Sequence, residues 1–227
     1  MRLQLCGGLI SLAVALPTGG RAEGEGKTRN DAEVKLLTRR MQAFYEKTSS
    51  FSATFKQEYV YKSFNRTQTS AGKVFFLKPG MMRWDYEKPS PKSFVLTGDK
   101  TYAYDAEAMT FTIAPFDSSQ LSAAVTFLWG RGRLEKEFRI DGAACASCQG
   151  VLLELTPLRP DARFQKIRLE VDPKTAQVLK STVVDPDGSE NSISFFDFEA
   201  NPKIDQGMFK LTPPANAQVV DMTKSSR

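Results

Sequence analysis

The chain has 227 residues, 41% of them hydrophobic, and carries 31 basic against 26 acidic side chains. It contains no histidine, which excludes Ser-His-Asp and Cys-His catalysis and removes the commonest metal ligand. The net charge of +5 is interspersed along the chain rather than clustered, which reads as a solvated surface and not as a nucleic-acid footprint.

Met1-Arg2 is followed by an apolar segment, Leu3–Leu16, and then by Pro17 and the small residues Gly20 and Ala22 at the −3 and −1 positions of a cleavage site. This is the layout of a secretory signal peptide and is too short to span a bilayer. Export with cleavage near Ala22 is expected. Cys6 precedes most of the apolar segment instead of following it, so it is a poor candidate for lipid attachment. Setting residues 1–22 aside leaves 29 basic and 26 acidic residues, because Arg2 and Arg21 go with the leader. The remaining roughly 200 residues suffice for one large all-β domain with a sizeable core. Residues 23–30 read as a flexible tail and 31–227 as a single domain.

Asn30 can cap a helix that runs to about Lys47, with Asp31 and Glu33 near its positive end. Val34, Leu37, Met41 and Phe44 form a stripe at helical spacing, widened by Leu36 and Tyr45. Such a stripe fits plain packing on a sheet or a lid over a cavity. Phe51–Tyr61 then alternates cleanly, with Phe51, Ala53, Phe55, Gln57, Tyr59 and Tyr61 on one face. The stretch Gly72–Pro89 places two strand-like runs around a turn at Pro79-Gly80. In the second run Met82, Trp84 and Tyr86 share a face opposite Arg83, Asp85 and Glu87, the period of a half-buried strand. That face is a thioether, an indole and a phenol, which suits either a bulky core or an adaptable apolar cavity.

Further strands are expected at about 68–77, 81–87, 93–97, 101–104 and 109–115, in which Phe94 with Leu96, Tyr102 with Tyr104, and Met109 with Phe111 and Ile113 keep the alternation. Connections this short demand antiparallel pairing. The pattern breaks after Ser118-Ser119, where Leu121, Ala124, Val125 and Leu128 stand at helical spacing before Gly130. A short apolar helix there would cover a face of the sheet. Cys145-Ala-Ser-Cys148 could be half a zinc site, a redox motif or a local disulfide. Zinc lacks two further ligands, and the motif sits in hairpin-loop sequence instead of opening a helix. In an oxidising compartment a disulfide is the reading favoured. Strands resume at about 138–141, 151–156, 164–171, 178–184 and 191–199, and Phe209-Lys-Leu-Thr-Pro-Pro214 reads as a last short edge. The total is about eleven strands and two helices, with no internal repeat.

Three segments carry a resemblance: Phe51-Ser-Ala-Thr-Phe-Lys-Gln57, Gly72–Pro89 and Thr97–Asp105. Together with the closing Phe209–Pro214 they are similar to the periplasmic outer-membrane lipoprotein carrier proteins, the LolA family. The resemblance is specific over about 51–115 and looser beyond. It implies a mainly β fold: an unclosed antiparallel barrel of about eleven strands, with a lid of short helices over an apolar cavity for lipoprotein acyl chains. It implies acylated lipoproteins as cargo, an inner-membrane ABC transporter of the LolCDE type as donor and LolB or an equivalent outer-membrane acceptor. It implies a monomer with no cofactor, no metal and no enzymatic activity. On this reading the cavity draws on Phe55, Phe75, Met82, Trp84, Tyr86, Phe94, Leu96, Tyr102, Met109, Phe111, Leu121, Val125 and Leu128. Leu37, Met41 and Phe44 belong to the lid. Some family members hold the lid with an arginine just before the turn proline. Here that position is Lys78, which lacks the planar fork. Met82→Glu is expected to block loading or release while leaving the fold intact. The competing readings are a lipid- or lipoprotein-sensing module with the same barrel and a carrier of another lipid. An enzyme is the least supported, since acidic pairs such as Asp185 and Asp187 lie in turn sequence.

Overall fold

The computed structural model describes residues 31–116 and 133–224. The helix cap at Asn30, the helix expected at 121–130, and the cavity candidates Leu121, Val125 and Leu128 lie outside the described residues. Helix α1, Asp31–Lys47, begins with acidic and ends with basic side chains, matching the helix dipole. It buries Val34, Leu37, Met41 and Tyr45. Leu36, expected in the stripe, is instead 61% exposed, because at 3.6 residues per turn it falls on the side of the helix opposite the buried positions.

Two meanders follow. The first comprises β1 (Ser50–Tyr61), β2 (Arg66–Leu77), β3 (Met81–Lys88), β4 (Lys92–Thr97), β5 (Lys100–Asp105) and β6 (Thr110–Pro115). A one-turn helix α2, Leu134–Glu137, then leads into β7 (Phe138–Ala143), β8 (Val151–Pro157), β9 (Lys166–Val171), β10 (Val178–Val184) and β11 (Glu190–Ala200). The meanders join where β1 pairs antiparallel with β11. A 3₁₀ helix, Gln206–Phe209, precedes β12 (Gln218–Asp221). One twelve-stranded sheet results, in the order β12-β6-β5-β4-β3-β2-β1-β11-β10-β9-β8-β7. Among the described residues its two ends, β12 and β7, do not pair, so the barrel is unclosed. The last strand differs from expectation: β12 lies at 218–221 and pairs in parallel with β6, whereas Phe209 is buried in the 3₁₀ helix. Pro213 and Pro214 cannot donate to a ladder, and the chain pairs only after passing them.

Alternation divides the inner face into two unlike halves. Over β7–β10, α1 docks onto Leu153, Leu155, Ile167, Leu169, Val171 and Val178 to form a filled core. Over β1–β4, Phe51, Phe55, Val74, Phe76, Met82 and Leu96 form a second apolar cluster. Phe198 joins them, 6.1 Å from Phe44 of α1 and 5.2 Å from Phe51. Gly72, opposite Phe55, has no room for a side chain, since a Cβ there would stand 1.9 Å from the Asp85 carbonyl oxygen. The close approach lets β2 and β3 meet at a bulge beneath the Phe55 ring.

Candidate functional site

The aromatic half of the inner face carries an open cleft of about 320 Å³, lined by Met82, Trp84, Tyr86, Phe94, Leu96, Thr101, Phe116 and Ile193. Strand register explains the gathering. Trp84 lies opposite Val74 on one side and Phe94 on the other, and Met82 lies opposite Phe76 and Leu96. Alternate residues of β3 and β4 therefore project together. Phe55 backs the cleft, its ring 4.8 Å from Trp84 and 5.0 Å from Tyr86 in edge-on geometry. Phe94 is 44% exposed, so a large apolar side chain stands uncovered inside the cleft. The wall turns polar at one end, where the Tyr86 hydroxyl donates to Gln57 Oε1 at 3.0 Å and Gln57 Nε2 donates to Asn191 Oδ1 at 2.9 Å. Burial pushes the Tyr86 phenol above its ordinary pKa.

Seven of the expected side chains thus meet or back one another: Phe55, Met82, Trp84, Tyr86, Phe94, Leu96 and, through Phe198, Phe44. Others are corrected. Phe75 pairs with Arg83, Tyr102 with Val95, and Phe111 with Tyr104, all on the face opposite Trp84. That outer face is itself apolar, with Val95, Phe111 and Phe209 fully buried and the 3₁₀ helix lying against β3 and β4. The Arg83 guanidinium donates to the Met208 carbonyl at 2.7 Å and to Asp85 at 2.7 Å. A strand buried on both faces alternates without saying which face is inner. Met109 is corrected as well. It stands in the β5–β6 turn at φ +48, half exposed, and not in the cleft wall. Met82 is only 6% exposed and packs in the second cluster, so the expectation that Met82→Glu spares the fold is withdrawn. Sequence reasoning missed Ile193 and Phe116. Ile193 reaches the cleft because β11 pairs with β1, setting it opposite Gln57, and the only signal for that is the alternation in Ser192–Phe195.

Leu37 and Met41 lie in the filled core beneath α1 and not over the cleft. Helix α1 is fastened at several points. Arg40 donates to the carbonyls of Pro173 and Lys174 at 2.8 and 2.6 Å, and the Tyr45 hydroxyl accepts the Val178 amide at 3.1 Å. Burial raises the Tyr45 phenol far above its ordinary pKa. Lys78 Nζ donates to the carbonyls of Tyr45 and Glu46 at 2.8 and 3.0 Å, and its amide donates to Ser49 at 2.8 Å. A cation thus completes the negative end of α1. Partial burial lowers the Lys78 pKa, and the Glu46 carboxylate opposes the shift. Cys145 and Cys148 are joined by a disulfide, S–S 2.00 Å, in the β7–β8 loop, remote in the strand order from the cleft. Among the described residues no three Cys, Asp or Glu side chains gather as a metal site.

Comparison with known proteins points the same way as the geometry. The family model "Outer membrane lipoprotein carrier protein LolA" matches residues 46–212. The outer-membrane lipoprotein carrier protein of Dechloromonas aromatica is 30% identical over 178 residues, 78% of this chain and 84% of that one. The protein of the same name from Neisseria meningitidis serogroup B is 29% identical over 214 residues, 93% and 92% of the two chains. Among solved structures, an uncharacterized conserved protein from Thermus thermophilus superposes with a TM-score of 0.53 at 14% identity, covering 82% of this chain and 98% of that one. At that identity the likeness is one of fold.

Proposed function

The chain belongs to the LolA family of outer membrane lipoprotein carrier proteins, and from that premise we propose that it is an exported, periplasmic carrier that shields lipoprotein acyl chains in the Trp84 cleft. On this reading it receives lipoproteins from an inner-membrane ABC transporter and releases them to an outer-membrane acceptor. The observation that carries the reading is the cleft's almost wholly apolar lining, with Phe94 left uncovered within it.

The physical need is plain. An acyl chain of roughly 16 carbons costs on the order of 12 kcal/mol in water, at about 0.8 kcal/mol per methylene. A carrier must cover that surface and still release it, which favours deformable contacts over a rigid matched pocket. Met82 supplies a flexible thioether, and the surrounding rings can tilt against one another. The cleft, about 320 Å³, is at the small end of the ~300–1,000 Å³ range of ligand sites, so loading a multiply acylated lipoprotein requires the barrel to widen. The work is binding and release, and the reading assigns no bond-making step.

The test is uptake of a fluorescent fatty acid and of an acylated lipoprotein by the purified protein, with depletion in the native cell. Binding of both, with lipoproteins accumulating in the inner membrane on depletion, supports the carrier. Absence of uptake, or an unaltered lipoprotein distribution, refutes it.

A further inference from the structure

Strand direction gathers a set of exposed side chains that the cleft does not use. β1, β3, β5, β8 and β10 all run toward one end of the barrel, so the turns after them share that end. Phe64 in the β1–β2 turn is 79% exposed, Leu158 after β8 59%, and Met109 in the β5–β6 turn 49%. The β2 side of the β1–β2 hairpin also overhangs its neighbour, while β1 stays paired with β11 as far as Val60↔Glu190. The hairpin's own pairing continues to Tyr61↔Arg66, whereas pairing of β2 with β3 begins only at Ala71↔Lys88. Residues Arg66–Ser70 therefore overhang β3 by about 16 Å, at ~3.3 Å per residue.

At the tip, the 3₁₀ turn Lys62–Phe64 is closed by Asn65 in the left-handed region at φ +45. Phe64 is thus held outward, flanked by the exposed cations Lys62 and Arg66 two residues to either side. Behind it, Lys56 and Glu58 neutralise each other at 2.8 Å. The Leu158–Arg159 pair repeats the arrangement of an exposed apolar residue beside a cation. Most acidic groups at this end are engaged. Asp161 is paired with Arg163 and Asp105 with Lys92. Asp185 accepts the Tyr59 hydroxyl, and Asp187 accepts from Ser189.

We infer that this rim, led by Phe64, is a membrane-contact surface that seats on a phospholipid bilayer. An aromatic ring suits the interfacial region, while the flanking lysine and arginine reach back to headgroup phosphates. The contact is led by apolar surface, because charges at this end are nearly balanced. It goes beyond the carrier reading and does not need it: the rim can bind a bilayer whether or not the cleft holds an acyl chain.

Flotation with vesicles of phosphatidylethanolamine and phosphatidylglycerol tests it, comparing the unaltered protein with Phe64→Ser and Phe196→Ser. Phe196 is also half exposed, at 51%, but lies within β11 away from the rim turns, and so controls for exposed aromatic surface in general. The expected result is co-flotation of the unaltered protein, at least a tenfold loss of partitioning for Phe64→Ser, and a change under twofold for Phe196→Ser. Leu158→Ser is expected to weaken partitioning in the same direction. Failure of the unaltered protein to float, or equal behaviour of the two phenylalanine variants, overturns the inference. Fatty-acid uptake measured on the same samples should not change with Phe64→Ser, so loss of vesicle binding and loss of the cleft's function are read separately.

Discussion

Phe94→Ala tests the cleft without removing a member of either buried cluster. A phenylalanine presents about 150–250 Å² of apolar surface, and 44% of Phe94 is exposed in the cleft. On the order of 90 Å² is therefore available for a guest to cover, worth about 2 kcal/mol at ~25 cal/mol per Å². Removing it should weaken binding of a fluorescent fatty acid about thirtyfold. The cost to the fold comes from the covered half of the ring, on the order of 100 Å² worth about 2–3 kcal/mol at ~25 cal/mol per Å². That half includes the edge-on contact with Tyr86, centroids 5.8 Å apart at 77°, and the packing beside Trp84 across the strand pair. At about 2–4 °C per kcal/mol for a chain of this size, the melting midpoint should fall by about 5–10 °C. Equilibrium titration of the probe measures the first effect and thermal unfolding by circular dichroism the second. A dissociation constant within about threefold of the parent, with the fold intact, would show that no guest covers Phe94 and would refute the assignment of this cleft.

Met82→Glu should behave differently, because the residue is only 6% exposed. An unpaired carboxylate there costs about 3–5 kcal/mol, lowering the midpoint by on the order of 10 °C. Burial raises the new carboxyl's pKa, so the loss should be larger at neutral pH than near the ordinary glutamate pKa; equal loss at both would count against the residue's placement. Lys78→Met removes two hydrogen bonds to the last turn of α1. Discounted for partial solvent exposure, it should cost about 1 kcal/mol and 2–4 °C, with Lys78→Arg retaining most of it; no shift by calorimetry in the methionine variant would remove the latch. The Tyr59 hydroxyl donates to Asp185, and that bond pushes the phenol from 10.0 up to about 12. Its contribution is fully present below the unfolded tyrosine pKa of about 10 and is lost as pH rises from there through about 12. Tyr59→Phe should flatten the fall of stability in urea melts across that window, and an unchanged slope would rule out the linkage.

The sequence determined the local facts. Period-two runs marked β1 through β11 and the Met82-Trp84-Tyr86 row, because alternation is a property of each strand alone. The absence of histidine and the short turns likewise narrowed the chemistry and the pairing sense before any fold was known. What the sequence could not supply was the sense of each face. Phe75, Tyr102 and Phe111 alternate as regularly as Trp84 and Phe94, yet point the other way. The 3₁₀ helix at Gln206–Phe209 gives the outer face an apolar cover of its own, and both faces of β3–β6 therefore look like cores. The β1–β11 pairing that brings Ile193 to the cleft joins residues 130 or more positions apart, and no local pattern encodes it. Only the tertiary structure decided that α1 fills one half of the barrel and leaves the aromatic half open, because the same helical stripe serves a plug or a lid until its register against the sheet is fixed.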